Sequence, residues 1–222
     1  MFHVKPFLLL FLLFPLLSLS QHIGSTRLEI KDLPLPPNRD LEVEKFMAGF
    51  SNSLNAVEKD WFYWTNYSRS DPKRFWDSVV APILQVYPGF RNAYTNSLRK
   101  DLYSSAPLPP VKLNEELTKA AQSLARELAA KRARPSHTSP SGSTFESRMK
   151  LISIKKCAGE NISFGPPNTL LMLALLYIDE GVPDLGHRKT LLNADFVEMG
   201  LGLGLYPDNK VMVVQDFACS QR

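Results

Sequence analysis

Between Met199 and Leu205 every second residue is glycine: Met199, Leu201, Leu203 and Leu205 alternate with Gly200, Gly202 and Gly204. Strict alternation is the period of a β-strand, whose successive side chains point to opposite faces. A strand with glycine at every other position presents one face without side chains, and another element can approach that face closely. The four residues Pro207-Asp208-Asn209-Lys210 then turn the chain into Val211-Met-Val-Val-Gln-Asp-Phe-Ala218, so the tail predicts an antiparallel hairpin. The fold is therefore expected to contain a sheet with one face open to close approach by another element.

The residues before this hairpin supply such partners. Asn114 is a helix cap, Glu115 and Glu116 suit a first turn, and Leu117, Ala120, Ala121, Leu124, Ala125 and Leu128 share one face. Lys131, Arg132 and Arg134 close that helix at its C-terminal end, where cations are favourable and need no ligand. Pro166-Pro167-Asn168 opens a helix in which Leu170 to Ile178 is apolar without a break. A helix apolar on all sides is buried, and at about ten residues it belongs to a core, because a bilayer span takes roughly 20. A strand is predicted over Glu160 to Phe164, and a short helix over Phe145 to Lys150.

Upstream, Phe46, Phe50, Leu54, Val57, Trp61 and Trp64 recur at helical spacing and predict one long amphipathic helix from Leu41, its aromatic stripe turned to a core. Asp71-Pro72 starts another, with Phe75, Trp76, Val79, Val80, Ile83 and Leu84 on one side and a kink expected at Pro82. A short helix fits Asn92 to Leu102. Ala106-Pro-Leu-Pro-Pro110 reads as a stiff polyproline connector. Helices followed by a hairpin suggest a sheet covered by helices.

The N-terminus reads as a secretory signal: Lys5, an apolar run from Phe7 to Leu19, and small residues at Ser18 and Ser20. Residues 1–20 are expected to be removed and the protein to be secreted, periplasmic or extracellular, with no stable membrane span left. No cysteine follows the run, which argues against lipid anchoring there. Residues 21–40, with Pro34, Pro36 and Pro37, read as a flexible lead, and 41–222 as a single domain. Loss of residues 1–20 removes Lys5 alone among the charged residues, leaving 25 basic against 22 acidic. So small and dispersed a surplus gives no argument for a nucleic-acid partner, and none is expected. Cys157 and Cys219 lie in an exported chain, where one disulfide between them is the default and a catalytic Cys157 with His187 as base is the sharper alternative.

Chemistry concentrates between His137 and Arg188. His137 and His187 are the only histidines outside the signal and the lead, and both are expected in loops beside Gly, Ser or Pro. With Glu160 and one of Asp179 and Glu180 they could form an open divalent-metal site, zinc being the natural choice. The same groups could work as acid and base without metal. Glu160, on a strand, must be paired if buried. Asn66-Tyr-Ser and Asn161-Ile-Ser match the glycosylation sequon.

Together these pieces resemble the CAP superfamily (cysteine-rich secretory proteins, antigen five and pathogenesis-related class 1 proteins; the SCP-like domain), in its bacterial secreted branch. The matching stretches are LNEELTKAAQSLARELA, Ser136-His-Thr138, Phe145-x-x-Arg-Met149, GENISFG at 159–165, GHRKTLLNADFVEMGLGLG at 186–204 and VVQDFA at 213–218. The best-matching part is 111–218, and WTNYSRSDPKRFW at 64–76 looks like the family's first helix, with 77–110 as an insertion. The resemblance implies an α+β fold, a three-layer α-β-α sandwich around a central antiparallel sheet. It also implies a cavity lined by His137, His187, Glu160 and a second acid, Asp179 in preference to Glu180, which in some members binds zinc. An exported protein with a metal- or small-ligand-binding cavity is the leading expectation. A metal-assisted or acid-base hydrolase using His137, Glu160, Asp179 and His187 is the alternative, and a sterol or fatty-acid carrier is the third. Expected partners are a lipid or sterol, or a cell-surface protein.

Overall fold

The computed structural model describes residues 21–25 by their backbone, together with 30–34, 36 and 38–221. The predicted signal sequence, 1–20, lies outside the described residues. One mixed sheet has the strand order β1-β3-β5-β4-β2, with β1 Gln21–Ser25, β2 Lys112–Leu113, β3 Ala158–Gly165, β4 Glu198–Leu205 and β5 Val211–Ala218. The three central strands are antiparallel, as expected of the sheet, while the outer two, β1 and β2, run parallel to their neighbours β3 and β4. The first residues of the lead are thus a strand.

Register sorts the two faces. Glu160 and Ile162 of β3, Asp216, Val214 and Met212 of β5, and the three glycines of β4 stand on one face. Against them lies α6 (Glu115–Ala130), capped by Asn114, whose side chain accepts from the N–H groups of Glu116 and Leu117. Ala121, Leu124, Ala125 and Leu128 pack there on Ile162, Met212 and Val214. The fit is one of periods. Four residues of helix rise about 6 Å and two residues of strand about 6.7 Å, so the row 117, 121, 125 of α6 keeps step with the row 200, 202, 204 of β4. A Cβ built on Gly202 would stand 2.2 Å from the carbonyl carbon and oxygen of Ala121, and one on Gly200 2.2 Å from the backbone of Leu117 and Thr118. The bare face expected from the sequence is where α6 lies. Alongside, α7 (Phe145–Leu151) packs Phe145 and Met149 on Leu117 and Ala120.

The opposite face carries Met199, Leu201, Val211, Val213 and Phe217, covered by the main apolar cluster. Its helices are α1 (Leu41–Met47), α2 (Ala56–Ser70), α3 (Pro72–Phe75), α4 (Ala81–Val86), α5 (Ala93–Ser104), α8 (Thr169–Ile178) and α9 (Gly186–Leu191). Helix, sheet and helix thus make three layers. Eight of the ten residues of α8 are buried, as its unbroken apolar run requires.

Three upstream expectations change. The single helix from Leu41 is two, α1 and α2. Between them lies a 3-10 turn at Ser51–Ser53, and Asn55 opens α2 with a reciprocal capping box to Glu58. The stripe breaks with it: Phe46 and Val57 are exposed. At Pro82 the disturbance is a π-helical turn, Trp76–Val80, rather than a simple kink. Pro82 has no N–H to donate four residues back, and the ladder closes instead from Ala81 to the carbonyl of Trp76. The proline stretch 106–110 is no free spacer, because Leu108 N–H donates to the carbonyl of Arg69 at 2.8 Å and Arg69 Nε donates to the carbonyl of Pro109 at 2.9 Å.

Candidate functional site

β3 positions the site. Glu160 is fully buried on the α6 face, and its two oxygens are both engaged: Oε1 accepts from His137 Nδ1 at 2.7 Å and Oε2 from Arg148 Nη2 at 2.5 Å. Arg148 is brought by α7, and its Nη1 also donates to the carbonyls of His137 and Ser143, 3.1 Å each. One guanidinium therefore fixes both the carboxylate and the loop that carries the histidine. His137 sits in that loop as expected, 7% exposed.

The second pair forms where α8 ends. Asp179 caps α8 in the left-handed conformation, with φ +60°, which a short polar side chain tolerates. Its Oδ1 accepts from His187 Nδ1 at 2.5 Å and its Oδ2 from the N–H of Arg188 at 3.1 Å. Glu180, the other acid considered, is exposed. His187 is not in a loop: it occupies the first turn of α9 and is 1% exposed. The two pairs meet at consecutive residues of β3, because Asn161 next to Glu160 donates from Nδ2 to the carbonyl of His187 at 3.4 Å.

A carboxylate only accepts, so Nδ1 is the donor in each pair, and in a neutral imidazole held this way Nε2 is the nitrogen with the lone pair. His137 Nε2 has no hydrogen-bond partner among the described residues. That arrangement suits a base or a metal donor, with the carboxylate behind the ring orienting it. The four residues do not, however, form a four-ligand shell. Glu160 and Asp179 are committed to the imidazoles, and among the described residues no group of three or more His, Cys, Asp and Glu side chains is arranged to hold a metal.

Two residues to which the sequence reading gave no role complete the site. Arg148 lay inside a recognised motif, but its partner is reached only through the fold. Asp216 stands directly across from Glu160 in the β3/β5 ladder and is fully buried. Burial first, and then the neighbouring Glu160 charge, raise its carboxyl well above the usual aspartate range. Burial and the facing Glu160 therefore both favour the protonated form of Asp216, while Arg148 ion-pairs with Glu160. The signal was present in the sequence: a Gln-Asp pair inside an otherwise apolar strand.

Two buried arginines fix α9. Arg188 donates from Nε to the carbonyl of Tyr177 (2.8 Å), from Nη1 to Ser97 Oγ (2.9 Å) and Asp101 Oδ2 (2.8 Å), and from Nη2 to the carbonyls of Tyr94 (3.0 Å) and Ile178 (2.9 Å). Arg69 donates to the carbonyls of Leu191, Asn193 and Phe196 at the other end of α9.

Cys157 and Cys219 form a disulfide, which removes Cys157 as a nucleophile. Asn66 and Asn161 are 2% and 0% exposed, so neither sequon is reachable in the folded chain. A separate cavity of about 360 Å³ lies between α2, α8 and the end of β4, walled by Trp61, Trp64, Leu170, Met172 and Leu203 with Asp60 and Asn168 among its lining. Among the described residues no helix is long and apolar enough to cross a membrane.

A family model for the cysteine-rich secretory protein family (CAP) matches residues 93–217, over half of the chain. The match begins at the first residue of α5 and leaves 64–76 outside it. Among solved structures the chain is similar to an extracellular protein containing an SCP domain from Bacillus anthracis, with 28% identity over 51% of this chain and a TM-score of 0.40. The match spans 35% of that protein's length. It is similar also to an outer surface protein of Borrelia burgdorferi, at 23% identity, 58% and 90% of the two chains and a TM-score of 0.43. A third is venom allergen-like protein 4 of Schistosoma mansoni, at 14% identity, 76% and 92% of the chains and a TM-score of 0.47. No curated protein matches.

Proposed function

This chain belongs to the cysteine-rich secretory protein (CAP) family, and we propose that it is an exported member that binds a divalent metal, zinc first, through Nε2 of His137 and Nε2 of His187. One observation carries the reading: a buried carboxylate holds the Nδ1 of each ring, Glu160 for His137 and Asp179 for His187. Such backing fixes the tautomer, orients the imidazole and raises its basicity as a ligand. Glu160 and Asp179 are then orienting residues rather than ligands, and water completes the coordination. No turnover is part of this reading.

The test is a calorimetric zinc titration of the chain from Gln21, beside His137→Ala and His187→Ala variants whose folding is checked by circular dichroism. The expected result is saturable binding near one equivalent that both variants lose. A folded wild type that takes up no zinc would refute it.

The hydrolase reading rests on the same pairs, since a histidine backed by a carboxylate is a general base for water; turnover in a peptide or ester screen, lost in either histidine variant, would favour it. The cavity beside Trp61 and Trp64 favours a carrier role for an apolar ligand such as a sterol or fatty acid. Retention of a radiolabelled fatty acid through gel filtration, unaffected by the histidine variants, would separate that role from the other two.

A further inference from the structure

The sheet does not end at β3. Gln21–Ser25 lies along its outer edge in parallel, with Gln21 opposite Glu160, Ile23 opposite Ile162 and Ser25 opposite Phe164. The same short strand packs against α9. It therefore crosses the molecule where the two histidine–carboxylate pairs meet, beginning beside the residue that holds His137 and lying against the helix that carries His187. Glu160, Asp179 and His187 are each no more than 2% exposed.

An open sheet edge is a row of unpaired N–H and C=O groups that takes up any extended chain of suitable shape. Here the occupant is a five-residue strand in the less stable parallel pairing. After Ser25 the next main-chain anchor among the described residues is Lys31, whose N–H donates to the Tyr87 hydroxyl at 2.8 Å. The main-chain bonds of so short a ladder barely offset the ordering of the residues that make them.

We propose that the cleft between β3 and α9 is a strand-accepting groove, occupied at rest by residues 21–25, whose partner is an extended polypeptide segment that adds to β3 in parallel across the two histidine–carboxylate pairs. Recognition is through the main chain of the guest, with side chains of alternate residues turned to either side of the sheet. The inference is independent of the metal reading, since it rests on the backbone register of β1 and the packing of α9.

The experiment compares the chain from Gln21 with its Ile23→Pro/Gly24→Pro variant. Successive residues of a strand direct their N–H groups to opposite edges, so the double change removes whichever donor faces β3. Hydrogen exchange is followed at the amides of Glu160–Phe164 that do not face β5. A fluorescent peptide of residues 21–30, QHIGSTRLEI, is titrated into both proteins. The expected result is at least tenfold faster exchange in the variant, slowed again by the peptide, and peptide affinity at least tenfold higher for the variant, whose groove is vacated. Equal exchange in the two proteins would overturn the proposal, and so would faster exchange without peptide binding. A wild-type dimer that dissociates in the variant would overturn the intramolecular seat and make the occupant a second copy of the chain.

Discussion

Gly202→Ala puts the packing of α6 on the sheet to a direct test. The added methyl would lie 2.2 Å from the carbonyl carbon and oxygen of Ala121, where ordinary contact begins near 3.4 Å. The obstacle is main chain inside a helix and cannot rotate away, so α6 and β4 must separate by about 1.2 Å, the difference of those two distances. A radial gap of about 0.5–1 Å already forfeits a quarter to a half of a contact's attraction. The separation would act along the whole row of Leu117, Ala121, Leu124 and Leu128. Overpacking a tight core costs about 1–3 kcal/mol, and with a rigid obstacle the top of that range is expected. Alanine also restricts the unfolded chain, which returns about 0.4–1 kcal/mol. A net loss of about 2–3 kcal/mol corresponds to a fall in Tm of about 4–12 °C in a chain of this size. Differential scanning calorimetry on the chain from Gln21 measures it. The control is Gly89→Ala, where an added Cβ meets nothing within 4 Å and a change within about 0.5 kcal/mol is expected. A Gly202→Ala melt within about 2 °C of wild type would refute the reasoning, because it would mean that α6 is not seated on the bare face.

Asp216→Asn is expected to stabilise the protein increasingly as pH rises. The folded protein holds the Asp216 carboxyl above its unfolded value, so its contribution is fully present below about pH 4 and is lost as pH climbs through the folded pKa, by up to about 1.4 kcal/mol per unit. Paired melts at pH 4 and pH 8 read the effect as a widening gap in favour of the variant, and a constant gap would sink it. Arg188→Lys should cost about 3–5 kcal/mol, because an ammonium has three donors for the five acceptors that the guanidinium serves, three of them main-chain carbonyls. Asp101→Asn should cost about 0–1 kcal/mol, since Asp101 is 43% exposed, and urea unfolding of both variants distinguishes these outcomes. Replacing Cys157 and Cys219 together by serine opens a loop of 62 residues. By the chain-entropy argument that lowers stability by about 4 kcal/mol; a denaturation midpoint unchanged from the oxidised wild type would show that the bond constrains little.

What could be read from the sequence was set by short-range physics. α6 was legible because its cap, acidic first turn and apolar face agree, and β4 because glycine alternation has one structural meaning. α8 was legible from an apolar run too short to span a bilayer. The break between α1 and α2 was missed because the aromatic residues keep helical spacing across it, while the stop comes from Asn55 and its reciprocal bonds to Glu58. His137, Glu160, Asp179 and His187 could be singled out as residue types, yet which acid backs which histidine depends on contacts 23 and 8 residues apart along the chain. Arg148 and Asp216 were harder still. Arg148 looks ordinary in its own segment, Asp216 stands out only as a polar residue in an apolar strand, and both acquire their roles only when β3 and β5 pair and α7 lies beside them.

The two histidine–carboxylate pairs differ in how they are held, and the difference bears on which of them gives way. The His137–Glu160 pair is closed by Arg148 and has Asp216 across the ladder, all within α7, its preceding loop and the central strands. The His187–Asp179 pair hangs on the short helix α9, whose six residues give it little stability of its own. α9 stays in place because Arg188 ties its start to α5 and to the end of α8, and Arg69 ties its far end to α2. It is also the helix against which β1 packs. When β1 is displaced, β3 loses one ladder but stays paired with β5 on its other edge, whereas α9 loses its packing on β1, so the adjustable half of the site is His187 with Asp179, and His137 with Glu160 is the fixed half. Hydrogen exchange at α9, measured in the same Ile23→Pro/Gly24→Pro variant, should therefore rise while that of α7 does not.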